Sequence, residues 1–292
     1  MSNPNPKESV LITGCSAGGI GAALAQVFQE KGYDVFATAR TPSKISRELS
    51  TASNVTILTL DVVSSKSITA AVESVRKVTG GKLDILINNS GMPFRAPGLD
   101  VPIEEGKKLF DLNFWAPLEM LQAFAPLLIE AKGCVVNNSS CSAVLPMGLC
   151  SIYGASKAAL TLASETWRLE LEPLGVRTIT ISTCATKSNA QTNGFKAKIP
   201  ETSPYYPIRE FIEKPSDMQA KAITAREYAT KVVREIEAGT AGIIWVGTNS
   251  LMARLVASMP GSILDNVVES VIPVQKEMAK AIKEKKTLTS TL

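Results

Sequence analysis

Short apolar runs alternate with amphipathic stretches along most of this chain. SVLITG at 9–14, DVFATAR at 34–40, VTILTLDV at 55–62, LDILINNSG at 83–91, GCVVNNSS at 133–140, VRTITIS at 176–182 and GIIWVG at 242–247 each read as a buried strand. Between them, apolar residues recur at helical spacing over about 21–31, 66–79, 104–130, 153–172 and 226–238. Seven strands separated by helices predict an α/β fold: one doubly wound, seven-stranded, mostly parallel sheet with helices on both faces. Residues 183–225 break the rhythm with mixed Pro, Gly, aromatic and charged residues and are expected to form a lid over a substrate. Residues 249–292 are expected to form a C-terminal helical extension of two short amphipathic segments and a lysine-rich end. No repeat or linker divides the 292 residues, so a single domain is expected.

Composition narrows the chemistry. The chain has no histidine, which removes Ser-His-Asp hydrolysis and His-ligated zinc. Five cysteines, odd in number and without a Cys-x-x-Cys pair, fit a reducing compartment. The +4 net charge is scattered, without the dense basic patch of a nucleic-acid binder. The N-terminal stretch lacks an apolar leader, and no uninterrupted apolar run reaches membrane-spanning length, so cytoplasmic residence is expected. The tail LMARLVASM with its following lysines leaves peripheral membrane contact open, beside the plainer reading of a solvated helix.

Candidate site residues fall at the carboxyl ends of the strands, where such sheets bind ligands. The first strand runs into Thr13-Gly14-Cys15-Ser16-Ala17-Gly18-Gly19-Ile20-Gly21 and then a helix, a context that brings backbone N–H groups to a pyrophosphate. The second strand ends at Arg40, whose forked cation suits a 2′-phosphate and points to NADPH; an ordinary surface arginine is the alternative. Asp61 ends the third strand, placed to meet an adenine amino group or to cap the next helix. Asn88-Asn89-Ser90-Gly91 ends the fourth with small polar residues that admit a ribose or form a plain turn.

The sharpest pattern is Ser140, Tyr153 and Lys157. Tyr153 and Lys157 are four apart on a predicted helix and share a face. A neighbouring ammonium and an oxidised nicotinamide both favour phenolate, so the tyrosine pKa is expected to fall toward the working range. Ser140 is placed to donate to a carbonyl oxygen as charge develops there; Ser139 and Ser142 are the alternatives, and strand alternation alone does not decide between 140 and 142. Phe195, Tyr205, Tyr206, Pro207, Phe211 and Met218 supply an apolar cover for a lipophilic carbonyl substrate, or anchor a loop.

In that ordered series the chain resembles the classical short-chain dehydrogenase/reductase family over roughly residues 8–248. TGCSAGGIG, ATAR, GKLDILINNSG and SIYGASKAAL resemble its fungal group typified by NADPH-dependent 1-acyldihydroxyacetone-phosphate reductase. The resemblance implies a Rossmann-type domain, an Asn113-Ser140-Tyr153-Lys157 tetrad in which Asn113 holds a relay water, and a homodimer or homotetramer packed through helices 104–130 and 153–172. It implies cofactor contacts at Gly14, Ser16, Gly19, Ile20, Arg40, Asp61, Val62, Asn88, Ser90, Gly91, Tyr153, Lys157 and Ser188. The family's Pro-Gly after the sixth strand is replaced by Thr183-Cys184, which unsettles the nicotinamide end. The implied activity is NADPH-dependent reduction of a ketone, with alcohol oxidation or a non-redox cyclase, isomerase or binding role as alternatives.

Overall fold

The computed structural model describes residues 8–190, 194–214 and 219–290. The expected strands form as β1 (Ser9–Ile12), β2 (Asp34–Ala39), β3 (Val55–Thr59), β4 (Ile85–Asn88), β6 (Cys134–Asn138), β7 (Arg177–Thr183) and β9 (Gly242–Val246). They pair in parallel in the order β3-β2-β1-β4-β6-β7-β9. The chain builds outward from β1 to β3, then returns to add β4 on the other side. The switch point between β1 and β4 leaves a crevice at their carboxyl ends.

Alternation along each strand divides the core between two layers. Val10, Ile12, Val35 and Ala37 face α1 (Ile20–Glu30) and α8 (Ala225–Glu237), packing with Leu24, Phe28, Tyr228 and Val232. Leu11, Phe36 and Leu86 face the opposite layer of α3 (Ser65–Thr79), α5 (Ala116–Ala131) and α6 (Ser151–Leu171), meeting Val75, Phe124 and Leu160. A short α2 (Arg47–Ser50) precedes β3. The helical run Ile103–Ala131 is long and apolar enough by composition to span a membrane, but Met120, Phe124, Leu127 and Leu128 along it are buried within this layer.

That run departs from the uniform helix its periodicity predicts. It comprises α4 (Ile103–Phe110), a wider π turn at Asp111–Trp115, and α5. Pro117, having no N–H, removes the α-helical donor to the Asn113 carbonyl four residues back. Two further short strands, β5 (Phe94–Arg95) and β8 (Phe195–Lys196), pair in parallel outside the main sheet, with the Phe94 and Phe195 rings stacked at 4.2 Å. The lid continues through α7 (Arg209–Glu213). The tail forms three helices rather than two segments: α9 (Ser250–Val256), α10 (Gly261–Val271) and α11 (Val274–Ser290).

Candidate active site

The loop after β1 takes its shape from glycine, and Asn189 packs on it, its Nδ2 donating to the Ala17 carbonyl at 3.1 Å. Gly14 and Gly18 both lie in the left-handed region, at φ 77° and 76°. A Cβ on Gly21 would collide with the Gly14 carbonyl oxygen and lie 2.5 Å from Asn89 Nδ2, so this glycine lets α1 start against the loop. Helix α1 begins at Gly19 with no side-chain cap and no acid in its first turn, leaving its N-terminal N–H groups and positive dipole end for a ligand. Ser16 contributes its carbonyl to the turn, accepting from Gly19 N–H at 3.1 Å, and Ile20 opens the helix.

Thr13, fully buried, ties this loop to β4. Its hydroxyl accepts from Asn89 N–H (2.9 Å) and Ser90 N–H (2.8 Å) and donates to the Ile87 carbonyl (3.3 Å). Ser90 and Gly91 thereby line the crevice mouth. A Cβ on Gly91 would lie 3.2 Å from Asn113 Oδ1 and 3.3 Å from Lys157 Nζ, so glycine keeps a channel between loop and catalytic cluster.

The Asn88 side chain points into the sheet, leaving its backbone for a ligand. Its buried amide donates to Asn137 Oδ1 (2.9 Å) and the Pro117 carbonyl (3.4 Å), so this side chain serves the sheet and α5 instead of facing a cofactor. Val62 is likewise buried, in the α3 layer, leaving only its backbone for a ligand. Asp61 does not cap α3; Ser64 does, while Asp61 Oδ1 accepts from Val63 N–H at 3.3 Å. Arg40 stands exposed at the end of β2. Cys15 N–H donates to the Thr38 carbonyl and Ala17 N–H to that of Lys44, which brings the Arg40–Lys44 segment beside the phosphate loop. Lys44 was not anticipated as a second cation there.

The four predicted catalytic side chains converge across the ends of β4 and β6. Asn113, drawn inward on the π turn and fully buried, accepts from Met92 N–H (3.0 Å) and donates to the Met92 carbonyl (3.1 Å) and Ser156 Oγ (3.1 Å). Ser156 in turn donates to the Tyr153 carbonyl at 2.8 Å. Lys157 Nζ donates to the Asn138 carbonyl at 2.8 Å. Ser139 turns toward α6, its hydroxyl engaging the Lys157 carbonyl (3.1 Å) and Thr161 Oγ1 (2.6 Å). Ser142 turns to Met147 Sδ, whereas Ser140 interacts with the Tyr153 hydroxyl and accepts from Ser142 N–H. Gly154 allows this approach, since a Cβ there would lie 2.8 Å from the Ser142 carbonyl oxygen.

The expected downward shift of Tyr153 does not appear in the free protein. Burial pushes the phenol up to about 12 against the opposing pull of Ser140, and burial pushes Lys157 down to about 8. Desolvation outweighs any mutual help because both groups sit in one low-dielectric corner.

Asn138 is the residue that sequence reasoning missed. Its carbonyl holds Lys157, its Nδ2 donates to Asn89 Oδ1 (3.1 Å), and its Oδ1 accepts from Thr183 Oγ1 (2.5 Å). Asn89 Nδ2 passes the connection to the Thr13 carbonyl at 2.7 Å. One asparagine thus couples the phosphate loop, the lysine and the end of β7. Ser188, the expected carboxamide contact, is half-buried, with its N–H donated to Gln219 Oε1 at 3.1 Å.

Above Tyr153, an apolar cover gathers Phe195, Tyr205, Tyr206 and Phe211 with buried Ile208 and Ile212. Pro207 is exposed, and Met218 lies outside the described residues. Ile272, Val274 and Met278 of the tail also join this cover, a contact not foreseen.

A family model described as short chain dehydrogenase matches residues 8–198. The chain belongs to the short-chain dehydrogenase family. It is therefore a short-chain dehydrogenase/reductase, an oxidoreductase whose relatives span its length. A Penicillium crustosum short-chain dehydrogenase is 44% identical over 259 residues, covering 87% of this chain and 94% of that protein. The NADPH-dependent 1-acyldihydroxyacetone phosphate reductase of Schizosaccharomyces pombe is 36% identical over 281 residues, covering 91% and 94%. Among solved structures, a Streptomyces avermitilis short-chain dehydrogenase matches with TM-score 0.74 at 23% identity, covering 96% of this chain and 99% of that one. A Burkholderia cenocepacia short-chain dehydrogenase in complex with NADP matches with TM-score 0.71 at 22% identity, covering 90% and 97%. These likenesses establish the same fold.

Proposed function

We propose that this short-chain dehydrogenase/reductase is an NADPH-dependent carbonyl reductase that converts a lipophilic ketone to a secondary alcohol. The observation that carries the reading is the convergence of Ser140, Tyr153, Lys157 and Asn113 beside the glycine cradle and beneath an apolar cover. The residues fit a dinucleotide: the uncapped α1 terminus and Gly14, Gly18 and Gly19 for the pyrophosphate, Arg40 with Lys44 for a 2′-phosphate, and Ser90 and Gly91 for the second ribose. When bound, NADPH supplies the hydride.

The protein's own residues do the rest. Ser140 donates to the carbonyl oxygen and stabilises its developing charge. Tyr153, kept protonated by its buried site, delivers the proton to that oxygen. Lys157, anchored on the Asn138 carbonyl, offers positive charge that eases phenolate formation as the proton leaves. Asn113 fixes the wall opposite Gly91 and leaves its carbonyl, freed by Pro117, to accept from a water that resupplies the proton. The aromatic cover and tail exclude bulk water and receive the lipophilic part of the substrate. Exposed Ile103, Trp115, Leu162 and Leu169 on the same helices favour a homo-oligomer packed through them.

NADPH consumption by wild type and Tyr153→Phe proteins, across small, steroid-like, polyketide and acyl-phosphate ketones, tests this reading. Turnover of a lipophilic ketone by wild type, with a loss of at least ~100-fold in Tyr153→Phe, is expected; equal turnover in both overturns the assigned acid.

A further inference from the structure

Beyond its reductase site the chain carries a pair of thiols whose placement has no role in that chemistry. Strands β6 and β7 pair in register with Asn138 opposite Ile181, and Ser139 N–H extends the ladder to the Ile181 carbonyl. Three residues further along stand Cys184 and Cys141, the latter opening a 3-10 turn after extended Ser140. The paired strands that lead into them lie ~4.8 Å apart, which starts both near the roughly 4.4–6.8 Å Cα separation that a disulfide spans. The two thiols lie close enough for each to act on the other's ionisation. Both are free in this structure. From the register and this proximity we infer that Cys141 and Cys184 form a peroxide-responsive disulfide site at the catalytic edge of the sheet.

The two sulfurs divide the work. Cys141 is half-buried, whereas Cys184 lies buried behind it. The Cys184 and Ser140 side chains and the backbone N–H groups of Cys141 and Ser142 hold the Cys141 thiol below its ordinary value. Burial pushes Cys15, Cys134 and Cys150 up, to between about 11 and about 12. Cys141, the more accessible thiol, is therefore the attacking thiolate, and the buried Cys184 is the resolving thiol.

With hydrogen peroxide as oxidant, the Cys141 sulfur attacks one peroxide oxygen and the O–O bond breaks. The departing hydroxide takes up the Cys141 proton as water, and the sulfur becomes a sulfenic acid, oxidised by two electrons. The Cys184 sulfur then attacks the Cys141 sulfur. Its S–O bond breaks, and the leaving hydroxyl departs as water with the Cys184 proton. Two thiols and one peroxide thus yield one disulfide and two waters. The bond would clamp the Ser140–Ser142 turn to the segment that leads from β7 to Ser188.

The full-length protein is treated with hydrogen peroxide under native conditions, alkylated, digested and mapped by mass spectrometry. Wild type and Cys150→Ser proteins are expected to lose two alkylatable thiols and yield one peptide cross-linked between Cys141 and Cys184, reversed by dithiothreitol. Cys184→Ala is expected to stop at a sulfenic acid on Cys141, trapped by dimedone. Retention of all five thiols in wild type, a bridge to Cys150 instead, or oxidation of Cys141 to sulfinic acid without a bridge overturns the proposal. The bond stands independently of the reductase reading; reversible loss of NADPH turnover on oxidation is the further readout that rests on it.

Discussion

Lys157 stores a measurable stability cost in the site. An ammonium moved by burial from 10.5 to about 8 pays about 3 kcal/mol at ~1.4 kcal/mol per tenfold change. Between those two values the unfolded chain holds the lysine proton while the folded chain has released it. The unfolded state then binds more protons, so stability rises with pH through this window, and the cost is fully present below pH 8. Lys157→Met removes the charge with little change in side-chain shape, at the expense of the 2.8 Å hydrogen bond to the Asn138 carbonyl. That charge-assisted bond is worth about 1.5–3 kcal/mol. At pH 7 the variant is therefore expected to be more stable than wild type by as much as about 1.5 kcal/mol, taking the difference of those two figures.

Urea unfolding of both proteins between pH 7 and pH 10 isolates this term, because every other titrating group cancels in the difference. The variant's advantage should shrink by about 2.5 kcal/mol between pH 7 and pH 10 and reverse sign by pH 10, as the wild-type amine loses its proton in the folded state. Turnover should fall sharply in the variant. A pH-independent stability difference, constant within about 0.5 kcal/mol, would refute the claim that desolvation dominates at Lys157.

Further outcomes follow from other contacts. Arg40→Asp should weaken NADPH binding by about 10–100-fold with little effect on NADH, read by fluorescence titration, since one charge-assisted contact carries roughly 1.5–3 kcal/mol; unchanged NADPH affinity would remove Arg40 from the site. Thr13→Val keeps shape but deprives Ser90 N–H of its acceptor, and should cost about 1–3 kcal/mol of stability by urea unfolding while weakening cofactor binding. Replacing Tyr205 and Phe211 by alanine should raise KM for lipophilic ketones more than for small ones, because both pack in the cover over Tyr153; equal losses would make that cover purely structural.

The sheet was legible because parallel strands covered on both faces appear as continuous apolar runs. The catalytic pair was legible because a four-residue spacing on a helix fixes a common face. Asn113 was harder. Its role depends on a π turn and on what lies opposite, and neither leaves a periodicity in the chain. The irregular stretch 183–225 stood out by its lack of rhythm, yet its support came from distant places: β5 at Phe94–Arg95 and the tail at Ile272–Met278. Two-residue strands and single apolar contacts carry too little pattern to predict such pairings. The upward push on Tyr153 in the free protein was not legible, because sequence supplied its charged neighbour but not its burial.

Asn88 and Asn138 show how a missed residue could have been found. The triplet Asn-Asn-Ser ends both β4 and β6, and the strands pair with Asn88 opposite Asn137. In each triplet the first asparagine turns into the sheet interior, where Asn88 bonds Asn137. Alternation then sends Asn89 and Asn138 to the other side, where they bond each other and reach the phosphate loop and Lys157. The repeated triplet marks two neighbouring strand ends that share one polar seam. Through this seam Lys157 is positioned by the same element that shapes the cofactor cradle. Asn138→Ala keeps the carbonyl that holds Lys157 but removes the side-chain ties to Asn89 and Thr183 that fix it, so a shifted Lys157 titration alongside weaker cofactor binding is the coupling that two independent sites would not show.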